Sequence, residues 1–150
     1  LAGHRWLRQL GLEPLANAFD GPALLAGLAG RHTALKVAIM DQKLVVGVGN
    51  IYASESLFRA GLSPRRLAAG LGPLRAARLA AAIREVLLAA IDAGGSSLRD
   101  YVQSSGELGN FQRQFRVYDR AGQPCPVCGS PVRRIVQGGR ATYFCGRCQR

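Results

Sequence analysis

The sequence predicts a mainly α fold: a helical part followed by a small, metal-stapled β-hairpin. Three observations predict it. Apolar residues recur at helical spacing in several stretches between residues 33 and 93. All four cysteines fall in two Cys-x-x-Cys pairs near the C-terminal end. Between those pairs, VRRIVQGGRATYF places short apolar runs on either side of Gly138-Gly139, the pattern of a hairpin. One hundred and fifty residues suit one domain or two small subdomains sharing a core, and 48% apolar residues supply that core. No uninterrupted apolar run approaches the ~18–20 residues of a membrane span, so no membrane partner is expected. No secretory pattern opens the chain, because residues 1–12 mix His4, Arg5 and Arg8 with short apolar pieces.

Taken in order, residues 1–32 read as an entry segment. A short helix from His4 to Leu10, with Trp6, Leu7 and Leu10 packing, meets Gly11 and Pro14. Asp20 then caps a second helix running to about Leu28, with Pro22 tolerated in its first turn. Isolated His4 and His32 read as structural. Thr33 to Met40 reads as a helix with Leu35, Val37, Ile39 and Met40 apolar and Lys36 exposed.

The stretch that organises the chain follows: LVVGVGNIYASESLFRAG, residues 44–61. Gly47 and Gly49 break an apolar run and permit a tight turn. Asn50 stands at the N-cap position of a helix that buries Ile51, Tyr52, Leu57 and Phe58 on one face, with Ser54 and Glu55 between them. Gly61 stops that helix. A helix N-terminus with free N–H groups and an amide side chain is a ready anion site. Helix, glycine turn and capped helix together have the layout of a two-helix phosphate grip.

Pro73 opens the longest helix, ended by Gly94-Gly95, with an apolar stripe of Leu74, Ala77, Leu79, Ile83, Val86, Leu87 and Ile91. Its Arg75, Arg78 and Arg84 read mainly as a solvated face. Residues 96–102 read as a short capped helix. The span 103–114, QSSGELGNFQRQ, reads as a loop long enough to be functional. Phe115, Val117 and Tyr118 alternate with polar positions and read as a strand leading to the cysteines.

Charge narrows the partner. Twenty basic residues against nine acidic give a net charge of +11, and eighteen of the twenty are arginine. The last fifty residues carry eight arginines and two acids, so the bias is steepest there. Such an imbalance in a chain of ordinary hydrophobicity points to a polyanion, and arginine both forks phosphate and stacks on bases.

Cys125-x-x-Cys128 and Cys145-x-x-Cys148, sixteen residues apart, match zinc-ribbon spacing. Four thiolates close the coordination shell, so the one ion they hold is structural. Zinc is the expected metal, and spacing does not exclude iron. Disulfides are the alternative, but no export signal accompanies them. Arg140 stands at the hairpin tip, where it can probe a phosphate or a groove.

With these residues in hand, the chain resembles the formamidopyrimidine-DNA glycosylases, bifunctional base-excision repair enzymes for oxidised purines. The resemblance rests on LVVGVGNIYASESLFRAG at 44–61, and on VYDRAGQPCPVCGSPVRR with GGRATYFCGRCQR within 117–150. It extends over essentially the whole chain from about His4. It implies a helical DNA-binding domain over 1–115, containing a helix–two-turn–helix element at 33–61 and a lesion loop at 103–115, and a four-cysteine zinc finger over 116–150. It implies that Asn50 and Arg140 bind the phosphates flanking a lesion in double-stranded DNA, with Lys36 assisting. It implies that the loop bearing Ser104, Gly106, Gly109 and Phe111 closes over an extruded base. Glu55 is a candidate to position a catalytic amine.

The family's N-terminal β-sandwich, with its proline nucleophile and its wedge residues, has no counterpart in these 150 residues. The chain alone is therefore expected to bind without cutting, as a monomer, and to belong to a bacterial cytoplasmic enzyme that works on the nucleoid. Val37-Ala38 departs from the proline–aromatic pair that often follows the corresponding lysine. IYASE after Asn50 favours this branch over the endonuclease VIII branch, which prefers oxidised pyrimidines. The rivals are a non-catalytic zinc module for damaged DNA and a zinc ribbon for protein contacts. The net charge of +11 disfavours the second of these.

Overall fold

The computed structural model describes residues 11–93 and 115–150. The helices expected at 4–10 and 96–102, and the loop with Ser104, Gly106, Gly109 and Phe111, lie outside the described residues. The element order is α1 (Gly21–Leu28), α2 (Leu35–Ile39), α3 (Asn50–Ala60), a 3₁₀ turn (Ala68–Gly70), α4 (Pro73–Asp92), β1 (Arg133–Gln137) and β2 (Arg140–Phe144). None of these helices is long and apolar enough to cross a membrane.

Helix α1 begins as its sequence requires: Asp20 Oδ1 accepts from Ala23 N at 2.9 Å, with proline in the first turn. It lies against α4 at very short range. A Cβ on Gly21 would stand 2.7 Å from Ala77 Cα, so only glycine permits this approach. The same close packing explains how α4 is oriented. Its buried residues are Ala76, Leu79, Ala80, Ala82, Ile83, Val86 and Ala90, while Leu74 and Ile91 are exposed. Small alanines bring the helices together, and the stripe expected through Leu74, Ala77 and Ile91 is rotated accordingly. Arg84 is likewise no solvated residue. Its guanidinium donates to the carbonyls of Pro14, Ala16 and Phe19 at 3.2, 2.9 and 2.7 Å, pinning the entry segment to α4.

Helix α2 is shorter than the expected span of 33–40, because Ala34 is still extended. Thr33 instead joins a loop pair: its carbonyl accepts from Ala68 N at 2.9 Å, and Leu35 N donates to Arg66 O at 2.7 Å. Helix α3 was expected to bury one face. It buries nearly all of its circumference, Ser54, Glu55 and Ser56 included, because α4 packs on one side and β2 on another. Gly61 ends α3 in the left-handed region at φ 71°, and Leu62 N closes back on Leu57 O at 3.0 Å.

The two strands pair antiparallel from Arg133↔Phe144 to Gln137↔Arg140. Gly138 and Gly139, at φ 56° and 77°, supply the positive dihedrals that such a two-residue turn demands. Residues 115–118 form turns rather than the expected strand. The N–H groups of residues 116–118 are taken by a side chain of α3 instead of by a neighbouring strand. Among the described residues, two apolar clusters result. The larger joins α1–α4 through Leu24, Ile39, Val48, Leu57, Leu79 and Ile83. The smaller joins Phe58 of α3 to Val117, Val132, Tyr143, Cys125 and Cys145. The finger is also held by polar bonds. Gln149 Nε2 donates to Leu62 O at 3.0 Å, and Arg150 N donates to Gly61 O at 3.0 Å. Arg66 forks the Arg150 carbonyl at 3.1 and 2.7 Å.

Candidate nucleic-acid interface and metal centre

The turn that precedes α3 is built by a side chain the sequence did not single out. Gln42 Oε1 accepts from Gly47 N at 2.7 Å, while Gln42 Nε2 donates to Met40 O at 3.1 Å. Gly47 sits at φ 87°, a conformation that excludes most other residues. Gly49, not Asn50, occupies the N-cap, and it makes no side-chain cap bond; Asn50 is the first helical residue. The expected cap is thus displaced by one position. The Asn50 carboxamide is free for other work because an extended glycine already starts the helix.

That work is to join three elements. Asn50 Oδ1 accepts from Lys36 Nζ of α2, and Asn50 Nδ2 donates to the carbonyl of Ala141 on β2 at 2.9 Å. Lys36, expected to be exposed, is fully buried. Burial and the nearby Arg140 charge lower its pKa from 10.5 to about 8. Arg140, next to Ala141 in sequence, is exposed at the rim of a cleft of about 380 Å³, also lined by Arg31, Lys36, Val37, Gln137 and Gly138. Gln137 Nε2 donates to Pro64 O at 3.0 Å, which fixes the base of the hairpin tip. Lys36, Asn50 and Arg140, 104 positions apart at the extremes in sequence, therefore meet at one edge where α2, the α3 N-terminus and the hairpin converge.

Glu55 stands where α3 meets the chain leading into the finger. It is 2% exposed. Its Oε1 accepts from Arg116 N at 2.8 Å, and its Oε2 accepts from Val117 N and Tyr118 N at 2.9 Å. The carboxylate expected to support a catalytic amine is engaged as a backbone anchor. No periodicity signals this, because the partner groups are main-chain donors 61 to 63 positions away.

The four cysteines converge. A tetrahedral thiolate site with zinc–sulfur bonds of ~2.3 Å has sulfurs about 3.8 Å apart. Cys125 Sγ and Cys148 Sγ stand 3.8 Å apart, Cys128 Sγ and Cys145 Sγ 3.5 Å, and all four lie within 4.8 Å of one another. The donor set fits one zinc ion in a closed shell. Hydrogen bonds from Ser130 hold the Cys128 thiol down to about 6, while burial pushes Cys148 up to about 12. A divalent cation is what makes all four ligands thiolates together. Behind the site, the guanidiniums of Arg65 and Arg133 lie over the buried Phe144 ring, 5.2 and 5.4 Å from its centroid.

Fold and site together define a helix–two-turn–helix protein with a C-terminal zinc finger. The family model described as the formamidopyrimidine-DNA glycosylase H2TH domain matches residues 10–102, and that described as the zinc finger found in FPG and IleRS matches residues 122–150. The chain belongs to the formamidopyrimidine-DNA glycosylase family. It is 60% identical over 149 residues to the formamidopyrimidine-DNA glycosylase of Cereibacter sphaeroides, covering 98% of this chain and 53% of that protein. It is 60% identical over 148 residues to that of Thiobacillus denitrificans, covering 99% of this chain and 55% of the relative.

Among solved structures, the MutM (Fpg) protein of Thermus thermophilus matches with a TM-score of 0.84 at 50% identity, over 97% of this chain and 55% of that one. Lactococcus lactis Fpg in complex with DNA containing an abasic site matches with a TM-score of 0.85 at 33% identity, over 99% and 54%. The chain spans about half the length of the curated relatives it matches.

Proposed function

We propose that this chain is the DNA-gripping part of a base-excision glycosylase and AP lyase that removes oxidised purines, including 8-oxoguanine and formamidopyrimidines. The observation that carries the reading is the convergence of Lys36, Asn50 and Arg140 at one cationic edge, held by a zinc-stapled hairpin. Asn50 and Arg140 bind consecutive phosphates of a kinked strand, and Arg140 supplies a charge-assisted fork. The first-turn N–H groups of α3 add partial positive charge at the same place. Relatives solved with abasic-site DNA and with Fapy-dG DNA support damaged duplex as the ligand. The names of the similar proteins favour the purine branch.

Chemistry on a base within a duplex requires extruding it, at a cost of a few kcal/mol. In the whole protein, the secondary amine of an N-terminal proline, in a part these residues do not include, attacks the sugar C1′. The glycosidic bond breaks, the base leaves with a proton, and amine and sugar form a Schiff base. Loss of the sugar's 2′ proton then expels the 3′ phosphate, and δ-elimination releases the 5′ phosphate. This chain's residues hold the backbone still while that happens. The setting is the bacterial nucleoid.

The test is a binding titration of the 150-residue chain with an abasic-analogue duplex and an undamaged duplex at two salt concentrations, beside borohydride trapping on an 8-oxoguanine duplex. Salt-sensitive binding that prefers the damaged duplex, without a covalent adduct, is the expected result. Arg140→Ala should cost about 1–3 kcal/mol of affinity. Binding indifferent to salt and to Arg140 would overturn the grip, and a trapped adduct would overturn the assignment of the nucleophile.

A further inference from the structure

Lys36 is a natural choice for a third phosphate contact, but its geometry argues otherwise. It is fully buried, and its ammonium donates to the Asn50 amide oxygen, while Arg140 stands exposed at the rim of the cleft. A carboxamide has two chemically different ends, and Asn50 uses both. The oxygen must face Lys36, because an ammonium only donates. The nitrogen must then face the Ala141 carbonyl, which only accepts. That leaves one Nδ2 hydrogen for an outside acceptor. Ala141 follows Arg140 directly, so the same bond sets where the hairpin tip stands relative to the start of α3.

From these bonds we infer that Lys36 is a positioning residue acting through Asn50: it fixes which way the Asn50 amide faces, and Asn50 in turn aligns the finger and Arg140 with α3. The inference rests on the grip proposed above and deepens it. Two consequences separate it from direct phosphate binding. The effect of removing Lys36 must vanish once Asn50 is gone. An aspartate at position 50, equal in shape, must fail, because it sets an oxygen against the Ala141 carbonyl while leaving an acceptor for Lys36.

The experiment is a double-mutant cycle on the zinc-loaded chain: wild type, Lys36→Met, Asn50→Ala and the pair, each titrated with the abasic-analogue duplex. Methionine retains volume at a buried position. Each single variant is expected to bind about tenfold more weakly, and the double variant no more weakly than Asn50→Ala alone. Losses that multiply, to about a hundredfold in the double variant, would overturn the inference, because independent contacts add in free energy. Asn50→Asp binding like wild type would overturn it too.

A second measurement needs no DNA: hydrogen exchange of the Asn50 side-chain amide by NMR. Protection in the wild type that is lost in Lys36→Met supports the relay, and equal protection in both overturns it. Absence of DNA binding by the wild type would sink the grip alone, leaving the exchange experiment to decide the relay.

Discussion

An ammonium withdrawn from water beside a guanidinium gives up its proton more readily, and Lys36 accordingly sits at about 8 instead of 10.5. The charged groups around it are Arg140, whose charge lowers it further, and the Arg31–Asp41 ion pair, 2.7 Å long, on the wall of the same cleft. A DNA phosphate held at Arg140 offsets that arginine's charge and adds a negative one, so it raises Lys36 back toward its ordinary value. The sign follows. In the window from about 8 to 10.5 the free chain has lost the proton and the complex regains it, so binding takes up a proton and weakens as pH rises. Below about 7 both states hold the proton and affinity is flat. Titrations of zinc-loaded protein across pH 7–10 should show a loss of up to about tenfold per pH unit above 8. The Lys36→Met variant should lack this slope; retaining it would assign the proton elsewhere.

At the scale of elements, α3 is the hub, and Glu55 is how it holds the chain leading into the finger. Three main-chain donors converge on one buried carboxylate, and each loses its partner when the carboxylate goes. Glu55→Ala should lower stability by about 2–4 kcal/mol, since it leaves the buried Val117 N and two part-buried donors unmade. Urea unfolding of zinc-loaded protein reads this directly. A change below about 1 kcal/mol would mean that residues 116–118 find water or other partners.

The same element shows what was legible in the sequence and what was not. The start of α1 at Asp20, the stop at Gly61 and the hairpin turn at Gly138-Gly139 were readable, because each follows from local backbone chemistry. So was the metal knuckle spacing. Three other features were not: the all-round burial of α3, the burial of Lys36 and the backbone anchoring by Glu55. Each depends on a partner brought in by tertiary contact: the hairpin returns some ninety residues after α3 to cover it, and residues 116–118 reach Glu55 from 61 to 63 positions away. The glycine turn suggested an anion site, but its actual support, Gln42, is a surface-like residue whose partners are main-chain groups. Arg84 was read as solvated for the same reason, since charge type says nothing of three carbonyls converging from the entry segment.

For the whole molecule, the two apolar clusters differ in what sustains them. The helical cluster is large and made of ordinary aliphatic contacts. The finger cluster is small, has a two-stranded hairpin as its regular structure, and includes two of the metal's own ligands, Cys125 and Cys145. A two-stranded hairpin is marginal in water on its own, so the ion supplies much of the finger's folding free energy.

Removing zinc should therefore act unevenly. The knuckles loosen, Val132 and Tyr143 lose their packing on Phe58, and the Ala141 carbonyl no longer stands opposite Asn50. Arg140 is then carried by a flexible tether instead of a fixed tip, so its phosphate bond must bear the entropy of ordering the hairpin. Chelation should abolish measurable preference for the abasic duplex while most of the far-UV circular dichroism of α1–α4 persists, and zinc added back should restore both binding and finger structure. Acidification should release the ion in the same manner, because protons compete for the thiolates. Two results would count against this division. If helicity collapses with the metal, the two clusters form one cooperative unit; if affinity survives chelation, the grip resides in α2 and α3 without the hairpin.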